Sequence, residues 1–163
     1  MDMQRLNEIN DAYYRLEQKQ AEIVRALCLS SFELESGWYS GHYHREGNGN
    51  WFRESYPIPV IAVKGLCDIE VQFDGVSVSS KLERETALAY SFAKLVGVPF
   101  EAFGVKDYLA DLYHPGLTEQ ELKENIRTCD EGQIAFSFAF LFDVEGRQIL
   151  EFVELLRREG FFY

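Results

Sequence analysis

His42 and His44 stand two residues apart, so on an extended strand both imidazoles project from one face at roughly 7 Å, a spacing that can ligate a metal. Glu46 continues the row. This trio is the sequence's candidate metal set, and a small metal-dependent enzyme or hydrolase is the function it would serve. No HExxH or comparable frame supports it, and the remaining histidine, His114, precedes Pro115 in a turn. Asp68 and Glu70 also share one strand face. Paired carboxylates can bind Mg²⁺ or divide acid and base roles when burial separates their pKa values. Here they form the polar half of a clean alternation, which predicts a solvated sheet face.

Nucleophilic chemistry has no frame either. There is no G-x-S-x-G elbow, and Cys28, Cys67 and Cys129 have no histidine placed beside them by a known spacing. Gly47-Asn48-Gly49-Asn50 is followed by neither Lys-Ser/Thr nor a helix start, so turn chemistry explains it better than phosphate binding. The sequence predicts no cofactor. What remains is aromatic. Trp38, Tyr39, Tyr43, Trp51, Phe52 and Tyr56 cluster around the same turn, and Trp38, Tyr43, Trp51 and Phe52 are the candidate partner-binding residues, because such side chains add apolar area at interfaces and keep a polar handle. Packing under a helix or across a sheet is the competing role.

The elements that must position these residues follow from periodicity. Leu6, Ile9, Tyr13, Leu16, Ile23 and Leu27, with Gln20 in the seam, predict an amphipathic N-terminal helix lying on the sheet. Residues 31–56 read as a hairpin reversing at 47–50. Ile58 to Val63 is apolar on both faces, and Cys67, Ile69, Val71 and Phe73 alternate with polar residues. Asp74-Gly75 suits a two-residue turn that would set Val71 opposite Val78. Ser80 and Glu83 read as a capping box starting a helix near Lys81, with Leu88, Phe92 and Leu95 inward. A short helix is predicted from Val105 to about Tyr113, and a further one after Thr118, with Glu121 completing its cap and Leu117 and Leu122 stapling it. Ile134, Phe136, Phe138, Phe140 and Phe142 alternate with Ala135, Ser137, Ala139 and Leu141. That strand has a large face suited to a core and a small face that lets a helix or another backbone approach closely. Ile149, Phe152, Val153 and Leu156 point a last helix inward, and Gly160 ends it.

The predicted fold is therefore α+β: a single antiparallel or mixed sheet of about five or six strands, covered by a long N-terminal helix and several further helices, in one domain over residues 1–163. Composition narrows the function. With 47% hydrophobic and 15% aromatic residues the chain lies outside the disordered regime. Lys and Arg number 16 against 27 Asp and Glu, and the net charge of −11 argues against nucleic acid and anionic membranes as partners. No apolar run reaches the ~20 residues of a spanning helix, the first residues lack the pattern of a secretory signal, and the cysteines form no CxxC pair, so the predicted location is cytoplasmic. The leading functional expectation is a non-enzymatic, acidic protein-binding or regulatory protein, inhibitor-like or immunity-like in form, whose partner is a basic protein. Its oligomeric state is left open, and a self-assembling structural protein is a third class.

Overall fold

The computed structural model describes residues 2–47 and 50–163, and the side chains of these except Arg5 and residues 38–57. Six strands form one sheet in the order β1-β2-β3-β4-β6-β5, every pair antiparallel: β1 Leu34–Gly47, β2 Asn50–Val63, β3 Cys67–Gln72, β4 Gly75–Glu83, β5 Val105–Ala110 and β6 Gln133–Leu141. The helices are α1 Met3–Leu27, α2 Arg84–Leu88, α3 Phe92–Leu95, α4 Glu119–Arg127 and α5 Gly146–Arg158, with a 3-10 turn at Val98–Phe103. The α+β class predicted from periodicity holds.

The core lies on one face of the sheet, where the large residues of β6 point. Phe138 is its centre, with ring centroids 4.8 Å from Phe152 of α5, 5.2 Å from Phe100 of the 3-10 turn and 5.1 Å from Tyr108 of β5. α1 packs beside α5. Their backbones approach closely because residue 146 is glycine, where a Cβ would lie 2.8 Å from the Glu22 carbonyl oxygen. Glu22 Oε2 accepts from the Gly146 N–H at 2.6 Å, and Lys19 Nζ donates to the Val144 carbonyl at 2.7 Å.

Five sequence expectations change. The α1 seam is buried only in its second half: Leu16, Ile23 and Leu27 are fully covered and Tyr13 meets Phe73 edge-on at 5.7 Å, whereas Leu6 and Ile9 are 37% and 38% exposed. A 25-residue helix is about 37 Å long and outruns the ~20 Å of the six-residue β3 beneath it. The β3–β4 turn is Phe73-Asp74, so Val71 pairs with Val76 and Ile69 with Val78. Gly75 is held in the strand because a Cβ there would stand 2.5 Å from the Phe140 carbonyl oxygen. Moving the turn by one residue shifts each partner by two, so Val71 and Val78 still share the buried face.

Nor does a helix start at Lys81. β4 runs on to Glu83, paired with Gln133 of β6, and the Ser80 hydroxyl donates to the carbonyls of Leu66 (2.6 Å) and Phe162 (3.1 Å), so it caps nothing. The helical stretch that follows is broken in two, with Ser91 capping α3, and of its expected inward residues Leu95 is buried while Leu88 and Phe92 are half-buried. The segment from Val105 is the edge strand β5. A bulge between Val105 and Asp107 resets its alternation, so that Val105 and Tyr108 both face the core. That three-residue spacing imitates a helix.

The hairpin reverses where predicted, with Gly47 opposite Asn50, but its second arm runs on unbroken to Val63, so Ile58 to Val63 is the continuation of β2 and not a strand of its own. Its far part projects beyond the sheet, because β3 pairs with β2 only from Val60 to Val63. The Lys64 N–H donates to Glu33 O on the β1 side. By alternation the odd residues of β2 therefore turn their backbone groups toward β3. Pro59 and Pro57 have no N–H to give there, and the β2–β3 ladder stops at that point.

Candidate functional site

Opposite the core, the face of β3, β4 and β6 is bare of helices among the described residues. Ser77 and Ser79 of β4, Ala135, Ser137 and Ala139 of β6, and Asp68, Glu70 and Gln72 of β3 stand on this face, and among the described residues no helix crosses them. Leu109 of β5 and Leu141 of β6 are 57% and 50% exposed at its margin. Among the described residues the small face of β6 thus meets no helix, although its residue types would let one approach closely.

Tyr163 divides this face. The Phe162 backbone bridges to Lys81 of β4, in line with the end of β3, and the Tyr163 N–H donates to the Gly65 carbonyl at 3.2 Å. The ring lies beneath Lys81 Nζ, 5.4 Å from its centroid, and the hydroxyl is near enough to Asp68 to favour its ionised form. On one side is a hollow of 480 Å³ lined by Glu35, Gly37, Val60, Ala62, Asp68 and Glu70. On the other is a hollow of 220 Å³ lined chiefly by Ser79, Lys81, Leu109, Asp111, Ala135 and Ser137.

The larger hollow is acidic. Burial raises the Asp68 carboxyl above its ordinary value, the nearby Glu70 carboxylate adds to that, and the Tyr163 hydroxyl opposes it. Glu70 also accepts from the Gln72 amide at 3.1 Å. Asp68 and Glu70 do share a face, as the alternation requires, but it is a half-buried hollow and not a freely solvated surface. Sequence reasoning missed Tyr163 as a part of the site. No local pattern carries it, because its position depends on the chain's last residues bridging back to β4, 82 positions earlier for the Ser80–Phe162 bond.

Of the candidate metal set, the backbone register places His42 opposite Ser55, His44 opposite Arg53 and Glu46 opposite Trp51; their side chains lie outside the described residues. So do those of Trp38, Tyr43, Trp51 and Phe52, whose backbones stand opposite Pro59, Glu54, Glu46 and Arg45. Among the described residues no group of three or more His, Cys, Asp and Glu side chains converges to hold a metal. Cys67 is fully buried, and burial, with Asp68 adding to it, pushes its thiol far above the usual range, so the sulfur stays protonated. Of the aromatic residues that follow α5, Phe161 is buried in the core, 5.2 Å from Phe136, and Tyr163 belongs to the bare face.

Among known proteins, no family model matches the sequence, and no curated protein matches it. A solved structure, that of a conserved hypothetical protein from Pyrococcus furiosus, is similar to this chain with a TM-score of 0.65 and 24% identity, covering 94% of this chain and 98% of that one. The likeness is one of fold. No helix among the described residues is long and apolar enough to cross a membrane.

Proposed function

We propose that this protein is a non-enzymatic binding or regulatory protein that engages a basic protein through the bare face of its sheet. The observation that carries the reading is the uncovered small-residue surface of β4 and β6, bordered by Glu35, Asp68 and Glu70 on one side and by Leu109 and Leu141 on the other. Small side chains let a partner's backbone come close, the exposed leucines offer apolar contact, and the carboxylates choose the partner's charge. A cation entering the acidic hollow would favour the ionised form of Asp68, which burial and Glu70 otherwise oppose. The hairpin extends β1 and β2 beyond this face, and in this proposal Trp38, Tyr43, Trp51 and Phe52 supply the desolvated anchors. An inhibitor-like or immunity-like action, masking a basic surface, is its concrete form. The chain's charge of −11 suits an intracellular basic protein better than a nucleic acid.

Affinity capture with wild-type and Ser137→Arg chains as paired baits tests this. The expected result is a basic protein held by the wild type and lost from the variant. Its association should slow as salt rises from 0.1 M to 1 M, where the Debye length falls from ~10 Å to ~3 Å, and Trp51→Ala should chiefly hasten dissociation. Capture indifferent to Ser137→Arg, or an on-rate insensitive to salt, overturns it.

A further inference from the structure

The sheet's free backbone flanks are not equally protected. β5 is a six-residue edge broken by a bulge at Lys106. The flank of β2 beyond Val60 carries Pro57 and Pro59. Bulges, lysines and prolines are the usual devices against edge-to-edge pairing. β1 has none of them: it is a 14-residue edge strand with no proline, paired to β2 in unbroken register. Since Glu33 accepts from Lys64, the odd residues of β1 turn toward β2, and the even ones, Leu34, Ser36, Trp38 and Ser40 onward, present N–H and C=O groups outward. The segment is also nearly neutral in an acidic chain, with Glu35 and Glu46 against Arg45.

We infer that β1 pairs antiparallel with β1 of a second copy, making one continuous sheet across a two-fold axis. A two-fold sets two copies of one edge antiparallel, so each outward N–H meets an outward C=O. An axis at Ser40 places Glu35 opposite Arg45 of the second copy, twice, and Ser36 opposite His44 of the second copy. The register thus sets residues of opposite charge at paired positions of the two strands. The bare face offers a second copy no such match, because the β3 carboxylates Asp68 and Glu70 would meet a surface of the same sign. The second copy therefore occupies the edge and leaves the face to the basic partner.

Sedimentation velocity across a concentration series tests the inference with the full chain. The wild type is expected to reach twice the 18.9 kDa of one chain. Ser36→Pro and Ser40→Pro each remove an outward N–H and no bond to β2, and each should weaken self-association at least tenfold without moving the thermal midpoint. Amide exchange on the wild type gives a readout independent of the variants: the Leu34 and Ser36 amides should be protected when concentrated and lose protection on dilution. A single-chain mass at every concentration, free exchange at both amides, or a dimer indifferent to both prolines overturns the inference.

Discussion

The two faces of this sheet are made by the same strands and have opposite fates. On β6, Phe136, Phe138 and Phe140 are 2%, 0% and 2% exposed beneath α5 and the 3-10 turn, while of their neighbours Ala135 is exposed and Ser137 and Ala139 are half-buried. Alternation alone sorts the residues, but it does not decide which set is covered. Burying large rings removes more apolar surface from water than burying alanine and serine, so the helices go to the Phe face. What is left is a surface too polar to need a cover and too smooth to resist one.

This contrast predicts how substitutions on adjacent residues diverge. The largest effect is expected at Phe138→Ala, which removes the ring at the centre of the core and should cost about 3–5 kcal/mol in denaturant unfolding; an unchanged midpoint would mean that the Phe face is not the core. Next is Gly75→Ala, where the added methyl meets the Phe140 carbonyl oxygen at 2.5 Å and the β4–β6 pairing must shift, at a cost of about 1–3 kcal/mol by the same measurement. Wild-type stability there would show that the strands are not so close.

Tyr108→Phe should act in the other direction. The Tyr108 hydroxyl is buried without a hydrogen-bond partner among the described residues, so deleting it should leave stability unchanged or raise it, by up to about 1–3 kcal/mol. The same site sets an alkaline dependence. Burial raises the Tyr108 phenol, and with it Tyr90, above the ordinary value of 10.0, so the folded chain favours the neutral phenols. Their contribution is full below pH 10 and is lost as pH climbs from there toward the folded values. Unfolding midpoints should therefore fall above pH 10, less steeply in Tyr108→Phe; a variant as alkali-sensitive as the wild type would assign the loss elsewhere. Smallest of all, Ser137→Ala on the bare face should move the midpoint by less than about 0.5 kcal/mol, and a larger loss would reveal a cover over that face.

Much of the architecture was legible where one periodicity ran uninterrupted: β3, β6, α5 with its Gly160 end, and the second half of α1. It was misread where a local device competes with a tertiary one. Ser80 and Glu83 have the spacing of a helix cap, but the Ser80 hydroxyl is used by Leu66 and Phe162 and strand pairing continues. Gly75 looks like a turn residue, yet its lack of a Cβ serves the approach of β4 to β6. The bulge in β5 spaces Val105 and Tyr108 like a helix. Of the candidate site, the small face of β6 and the Asp68–Glu70 pair could be read in the sequence. That the face stays bare, and that Tyr163 reaches it, depends on where α1, α5 and the chain end pack.

The central claim is that the bare face binds while the Phe face folds. Measuring Ser137→Arg for both thermal midpoint and capture of the basic partner tests it most directly. The account predicts an unchanged midpoint with capture lost; capture retained at wild-type strength, or a variant that unfolds, would contradict it.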